Sequence, residues 1–460
     1  MNYSLRRAKL LLDGTGTLHR LLHVRELSRL WPTLKSRGLI KEWLPQNKET
    51  EIRECLVKEQ VFYAGFDPTG PSLHVGNLLI IMNLLHSLRC GHKVICVIGD
   101  ATASIGDPSG KDREREPIDD KVLNTNSSRI SSQLSAIFAN HYKYFWKSNQ
   151  TTKLPDPIIL YNSSWYNDMK LFQFFKEVGY HLGMRNLTRK SFVENRSRNL
   201  TYAEFSYQVI QAYDWYRLFN TYGCRFQFGG SDQIQNIEAG SSLVRGARDV
   251  DVFGIFTPLL LDKDGKKRGK TEGNALFLDK LHTTPFDFYQ AIIRLPHSAM
   301  ETYLKYFSFY SETEIESILQ KGLKKHSFYA QERLAESLTL LVHGESGLNQ
   351  AINATEGLLN NKIEALSNLT EDDIYYIFGR NIIKLAEFDP DGTTVLDLVN
   401  RTKCFTDSTL AVTMIEKGAV YINGRKFTNP QQLVGPESVL QNNLTIVKIG
   451  NKRAFIIRWL

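Results

Sequence analysis

Apolar β-branched runs alternate with helix-length stretches, and glycine joins each pair; this pattern constrains the fold more than any other feature of the chain. "VFYAGF", Val61–Phe66, breaks at the Gly/Pro-rich turn "DPTGPSLHVG" and passes into "NLLIIMNLLHSLRCG", which has helical length and stops at Gly91. "HKVICVIGD" follows as a short strand of the kind buried on both faces. "SSRISSQLSAIFANH" then reads as a helix and "PIILYNSSW" as a strand. "FSYQVIQAYDWYRLFNTYG" is an amphipathic helix rich in aromatics, and "CRFQFGGSDQ" is a strand broken at Gly229-Gly230. "FTPLLLDKDGKKRGKTEGNALFLD" predicts a strand, a charged glycine-bearing loop and a further strand. Strand–helix–strand repetition of this kind predicts an α/β fold, a Rossmann-like doubly wound parallel sheet. Such sheets take their ligands at the carboxyl ends of the strands.

The texture changes near Pro285. Residues 286–375 carry helical periods and no long β run, which predicts a separate α-helical domain. Residues 376–392 read as a linker. Residues 393–460 read as a small α+β module, with two short helices and a hairpin, "AVYINGRKF", whose Asn423-Gly424 is a strong turn signal. Residues 39–60 look like a polar helical lead-in to the Rossmann-like domain, which is predicted to span 39–285.

Charge is segregated. The net charge is +8, yet residues 1–38 hold eight Lys/Arg against two Asp/Glu, and residues 393–460 hold nine against four. The remainder is therefore slightly acidic. The first 38 residues spread Arg among Leu with few acids, which reads as an amphipathic mitochondrial presequence and places the protein in the matrix. The basic terminal module reads as a nucleic-acid contact. Five scattered cysteines argue against a disulfide framework and against zinc. No run of eighteen apolar residues occurs, so no spanning helix is expected.

Four loops carry the chemistry. In "FDPTGPSLHVGN", glycines let a backbone approach a ligand closely, a helix starting near Gly76 directs N–H groups at phosphate, and His74 can donate to a phosphoryl oxygen. "GDATASIGDPSGKDRERE" offers Asp107, Lys111, Arg113 and Arg115 on the same sheet edge. "GGSDQ" pairs glycines with Asp232, which can accept from sugar hydroxyls. "KKRGKT", Lys266–Thr271, suits a clamp on a leaving pyrophosphate. Each loop alone is ordinarily a solvated turn; their succession on one sheet edge favours a binding site. Tyr207, Gln211 and Asp214 stand at i, i+4 and i+7, so one helix face presents three polar-headed side chains where an apolar stripe is the norm.

Together these motifs resemble the bacterial- and organelle-type tyrosyl-tRNA synthetases, a class I aminoacyl-tRNA synthetase family. "PSLHVGN" resembles the first class I signature and "KRGKT" the second; "GDPSGK", "FSYQVIQAYD" and "FGGSDQ" match in order between them, and the terminal module resembles an S4-like RNA-binding domain. The resemblance implies tyrosine activation by ATP, release of pyrophosphate, and transfer of the tyrosyl group to the 3′ end of mitochondrial tRNA(Tyr). It assigns catalysis to His74, Asn77, Lys267, Lys270 and Thr271. Tyrosine would be held by Tyr63, Asp107, Tyr207, Gln211, Asp214 and Gln233, with Tyr63 and Asp214 at the phenol. ATP would be held by Asp67, Thr69, His74, Lys111, Arg115, Gly230, Asp232, Leu260 and Lys270, with Leu261 beside adenine and Mg²⁺ accompanying the nucleotide. Lys417, Arg425, Lys426, Lys448, Lys452 and Arg453 are the tRNA candidates, and a homodimer is implied. Asn77 stands where the first signature usually ends in His; Arg268 is unusual in the second and has no account. Tryptophanyl specificity, or an inactive RNA-binding homologue, are the alternatives; Asp214 with Tyr63 argues against the first, and intact Asp107, Gln211, Asp214, Asp232 and Lys270 against the second.

Overall fold

The computed structural model describes residues 26–109, 118–146, 154–188, 200–260, 275–324, 328–358, 362–367, 369–378, 382–385, 388–389, 392–405, 407–450 and 453–460. Lys111, Arg113, Arg115, Leu261, Lys267, Arg268, Lys270, Thr271 and Lys452 lie outside these residues. The chain forms two compact units, one from residues 1–278 with 296–330, the other from 279–295 with 331–460.

The first unit is built on a six-stranded sheet. Its strands are β1 (Glu42–Leu44), β2 (Val61–Phe66), β3 (Lys93–Ile98), β4 (Ile158–Tyr161), β5 (Phe226–Gly230) and β6 (Phe253–Thr257), in the spatial order β1-β6-β5-β2-β3-β4. All pairs among β2–β6 are parallel, and β1 alone runs antiparallel, on β6. β5 and β6 are buried at every position, as the continuous apolar runs predict for strands covered on both faces. Strand order reverses between β2 and β5, and there the carboxyl ends open the crevice that doubly wound sheets use for ligands.

The principal helices up to residue 248 are α1 (Leu30–Ser36), α2 (Glu49–Cys55), α3 (Val75–Arg89), α4 (Asp100–Ile105), α5 (Asp120–Asn140), α6 (Ser163–Tyr166), α7 (Tyr202–Tyr222) and α8 (Ile234–Arg248). Helix α7 has a full capping box between Thr201 and Glu204, and ends on Gly223 at φ 65°, where a side chain would be strained. Gly240 of α8 sits against Trp215 of α7, so close that a Cβ would strike the indole.

Three boundaries differ from expectation. Residues 1–38 do not behave as one leader: Leu27, Leu30, Trp31 and Leu34 are buried, and the Arg37 guanidinium donates to the carbonyls of Lys305, Ser308 and Tyr310. Each such buried side chain is worth about 1.5–3 kcal/mol, so the segment from residue 27 onward belongs to the folded unit. The lead-in contains an edge strand, β1, besides helix α2. The second strand expected after "KKRGKT" is reduced to an isolated bridge of Phe277 with His74.

The second unit holds α9 (Pro285–Ile293), α12 (Tyr329–Leu358) and α13 (Glu371–Phe378), followed by α14 (Val395–Arg401) and α15 (Ser408–Glu416). Between the first two in sequence, α10 (Met300–Phe307) and α11 (Glu312–Lys324) belong to the first unit, not to a separate helical domain. The terminal sheet orders β7 (Ile382–Leu385), β11 (Arg453–Trp459), β10 (Leu444–Ile449), β8 (Val420–Ile422) and β9 (Arg425–Phe427). Strand β7 pairs parallel with β11, so the expected linker contributes a strand. Ala354, Leu366 and Ile374 share one core with Leu444, Ile446 and Ile456; helices and terminal sheet are therefore one folded body, not two joined by a tether. The predicted hairpin is present: β8 and β9 pair across Asn423 (φ 43°) and Gly424 (φ 79°), a turn with two positive φ values that fits strand twist.

Candidate active site

Helix α3 begins against the glycine turn with a reciprocal cap. His74 Nδ1 accepts from the Gly76 N–H at 3.0 Å, and Asn77 Oδ1 accepts from the His74 N–H at 3.0 Å. The Gly76 N–H, expected to face phosphate, is thus engaged by His74. Because Nδ1 accepts, the neutral ring carries its proton on Nε2, which is then a donor. The cap also gives Asn77 a reason at the position where the signature departs: an amide closes the box through Oδ1 and retains Nδ2 as a donor.

Asp67 follows β2 and is held at both oxygens. Its Oδ1 accepts from Thr102 Oγ1 at 2.9 Å, and its Oδ2 from Tyr207 Oη at 2.6 Å. Gly99 makes this possible, since a Cβ there would fall on the Asp67 carboxylate and the Thr102 hydroxyl. The backbone of Thr69 turns onto Asp67, its N–H donating to the Asp67 carbonyl at 2.8 Å.

Asp107, Gln233 and Asn236 form a second group. Gln233 Nε2 donates to Asp107 Oδ2 at 2.6 Å, Asn236 Nδ2 to Asp107 Oδ1 at 3.3 Å, and the Ser109 N–H to Asp107 Oδ1 at 2.9 Å. Gly230 ends β5 beside Asp232, and Leu260 is buried just past β6.

The third group surrounds Asp214. Trp165 Nε1 donates to its Oδ1 at 2.9 Å, and Asn162 Nδ2 to its Oδ2 at 3.2 Å. The amide of Asn162 is oriented by the Ala101 N–H, which donates to its Oδ1 at 2.8 Å. Tyr166 Oη lies 2.7 Å from Asp214 Oδ1. Burial pushes the Asp214 carboxyl up to about 7; the surrounding donors oppose this to the extent that they donate, and the charge of Asp67 adds to it. Burial, with the charge of Asp214 behind it, raises the Tyr63 phenol well above its ordinary value; Tyr207 is raised by burial and by Asp67. Tyr63, Tyr207 and Tyr166 are therefore neutral hydroxyls, able to donate.

Three buried polar atoms here have no partner: Tyr63 Oη, Gln211 Oε1 and Asn236 Oδ1. An orphaned buried group costs about 1–3 kcal/mol, which a ligand supplying the missing hydrogen bond would recover. One orphan is a hydroxyl near Asp214, and another is an acceptor one helical turn from it.

The structure places Tyr63 within β2, and Asp67, His74, Asn77, Asp107, Tyr207, Gln211, Asp214, Gly230, Asp232 and Gln233 on the carboxyl edge of the parallel sheet or on the helices and turns that adjoin it. Sequence reasoning missed Asn162, Trp165, Tyr166, Thr102 and Asn236. A signal existed for the first three: "YNSSWY" sits at the carboxyl end of β4, where a parallel sheet places ligand-facing groups.

Comparison with known proteins places the chain in a family. The "tRNA synthetases class I (W and Y)" family pattern matches residues 57–360, and that of the "Tyrosine--tRNA ligase SYY-like C-terminal domain" matches 380–457. The chain is 38% identical over 435 residues to the mitochondrial tyrosine–tRNA ligase of Drosophila melanogaster, covering 93% of each. It is also 38% identical over 437 residues to the mitochondrial tyrosine–tRNA ligase of Homo sapiens, covering 93% of this chain and 91% of the human one. Among solved structures, a C-terminally truncated mitochondrial tyrosyl-tRNA synthetase of Aspergillus nidulans superposes with a TM-score of 0.67 at 28% identity, covering 75% of this chain and 99% of the other. Fold, pocket and similarity agree: the chain belongs to the tyrosyl-tRNA synthetases, the tyrosine–tRNA ligase family of class I aminoacyl-tRNA synthetases.

Proposed function

We propose that this pocket activates L-tyrosine with ATP and passes it to the 3′ end of mitochondrial tRNA(Tyr) in the matrix. The observation that carries the reading is the unpartnered Tyr63 hydroxyl, buried near Asp214. A substrate phenol placed there donates to Asp214 Oδ2 and accepts from Tyr63. Gln211 Oε1, also unpartnered, accepts from the substrate ammonium, with Asp107 and Tyr207 beside it. Indole brings a donor and no acceptor, so tryptophan leaves Tyr63 unpaired.

The tyrosine carboxylate attacks the α-phosphorus of ATP. The new C(O)O–P bond forms as the bond to pyrophosphate breaks. No protein nucleophile is required, so rate comes from positioning and from charge stabilisation. His74 Nε2 and Asn77 Nδ2 are the donors for phosphate oxygens. Lys111, Arg115, Lys267, Lys270 and Thr271 are assigned to the phosphates by the motifs that hold them, and Asp67, Thr69, Gly230, Asp232 and Leu260 to the nucleoside. Mg²⁺ enters with ATP on phosphate oxygens and water; among the described residues no group of three or more His, Cys, Asp and Glu could hold a metal itself.

In the terminal sheet Lys426 lies opposite Tyr421, and Tyr421 opposite Lys448, so two cations flank an aromatic ring along one row. With exposed Lys417 and Arg425, this row suits RNA phosphates and an unstacked base. Lys452 and Arg453 are the remaining candidates by sequence. A homodimer has support in Leu171, Phe172, Phe175, Tyr180, Met184 and Tyr202, all exposed. A cleaved leader ends ahead of buried Leu27.

Amino-acid-dependent ATP–pyrophosphate exchange tests the reading. Tyrosine supports exchange; exchange with tryptophan instead, or RNA binding without any exchange, refutes it. A Phe172→Glu variant that sediments at the wild-type mass would refute the dimer surface.

A further inference from the structure

The phenol site of this chain contains a resident phenol, and counting its protons constrains the state of Asp214. Tyr166 Oη lies 2.7 Å from Asp214 Oδ1 and also 2.7 Å from the Ile210 carbonyl oxygen. Each distance is that of a full O–H···O hydrogen bond. A phenol has one proton. The Ile210 carbonyl has none to give, so the proton in that contact is Tyr166's. One proton divided between two acceptors lengthens both contacts, so two contacts this short favour a second proton in the contact with Oδ1, and the carboxyl can supply it.

We infer that Asp214 carries a proton on Oδ1 in the substrate-free protein and donates it to Tyr166, which donates its own to Ile210; Tyr166 thereby sets the protonation state of the residue that recognises the substrate hydroxyl. The inference rests on the reading of Asp214 as the phenol acceptor. It makes Tyr166 a positioning residue for specificity.

The surroundings fit. Both acceptors of the Tyr166 contacts lie on one turn of α7, since Ile210 and Asp214 are i and i+4, so the phenol locks the helix and the carboxyl together. Trp165 Nε1 donates to Oδ1, which a protonated oxygen still accepts. Asn162 Nδ2 donates to Oδ2, leaving that carbonyl-like oxygen one lone pair for the substrate. Asp214 is packed by β2 through neutral Tyr63, by α6 through Trp165 and Tyr166, by the end of β4 through Asn162, and by its own helix through neutral Tyr207. The charged group that acts on it is Asp67, and a second negative charge keeps a proton on. The carboxyl's rise to about 7 is in accord.

The two possible hydrogen-bond directions give opposite signs on mutation. If Tyr166 donates to a carboxylate, removing its hydroxyl makes Asp214 a weaker acid. If Tyr166 accepts from the acid, removal makes it stronger. The experiment is infrared difference spectroscopy of the substrate-free full chain, wild type minus Asp214→Asn, across pH 5–9, and the same difference on a Tyr166→Phe background. The expected result is a protonated-carboxyl C=O band at pH 6 in wild type, with a titration midpoint that falls by about one pH unit in Tyr166→Phe. Absence of the wild-type band at pH 6, or a midpoint unchanged or raised by Tyr166→Phe, overturns the inference. Should Tyr166→Phe fail to fold, Tyr166→Leu carries the same test with the same expected fall in the midpoint. Neither measurement uses tyrosine or ATP, whereas failure of the functional reading is registered by loss of wild-type pyrophosphate exchange.

Discussion

The two sheets of this protein solve recognition in opposite ways. The six-stranded sheet buries its central strands on both faces and gathers its acidic side chains past their carboxyl ends and on the adjoining helices, where Asp67, Asp107 and Asp214 are each held by two or more donors. The terminal sheet packs both faces of its central strands on apolar cores and leaves Arg425 and Lys426 exposed on the short edge strand β9. In the first, each polar group is desolvated, so a missing hydrogen bond is costly and selectivity follows. In the second, cations remain in water, where each contributes little and salt screens it. A small substrate needs the former; a polyanion with many phosphates is served by the latter.

The largest expected effect tests the desolvated side of that contrast. The Asp214 carboxyl lies near 7 in the native state against 3.8 for an ordinary aspartate. Between those values the native state holds a proton that the unfolded state has released, so stability falls as pH rises through the window and levels off above it. The contribution is about 1.4 kcal/mol per pH unit, or about 3 kcal/mol between pH 5 and 7. Urea unfolding of wild type and Asp214→Asn across that range should differ by this slope; parallel curves would mean the site is wetter than its burial implies.

Next is selectivity. Asp214→Ala should reduce the preference for tyrosine over phenylalanine by roughly 10- to 100-fold in pyrophosphate exchange, because the acceptor that phenylalanine leaves unpaired is gone. Tyr63→Phe should cost tyrosine less, about tenfold at most, and leave phenylalanine unchanged. Full selectivity in both variants would move the hydroxyl site elsewhere.

Gly99→Ala sharpens the role of close packing. The added Cβ must displace the Asp67 carboxylate from Thr102, with an overpacking cost of about 1–3 kcal/mol. Exchange activity should fall with kcat and KM both affected. A variant with wild-type kinetics would mean that the Asp67 position carries no weight.

The smallest effects belong to the open sheet. Lys426→Ala and Lys448→Ala should each lower the salt-dependence slope of tRNA binding by about 1 while leaving pyrophosphate exchange untouched. A change in exchange, or no change in slope, would break the division of labour between the sheets.

Much of this was legible in the sequence. The β-branched runs with glycine-bearing turns dictated a parallel sheet, because strands buried on both faces must be apolar throughout and need crossover helices. The spacing of Tyr207, Gln211 and Asp214 placed three polar heads on one helix face, because a helix repeats every 3.6 residues. The Asn423-Gly424 turn was equally clear, since few residues tolerate positive φ. Leu27 to Leu34 was not: Arg among Leu describes a presequence and a basic amphipathic helix alike, and only burial separates them. Likewise "IIKL" looked like linker, since a four-residue strand is stabilised by its partner β11 and not by its own propensity. The sequence by itself therefore determined the periodicities and the turn chemistry, which are local. The tertiary structure alone decided which groups lose water and which partners they meet, since Asp214 gathers Asn162, Trp165 and Tyr166 across about fifty residues of chain. Desolvation and hydrogen-bond partnership are properties of a place in the fold, and no stretch of sequence holds them.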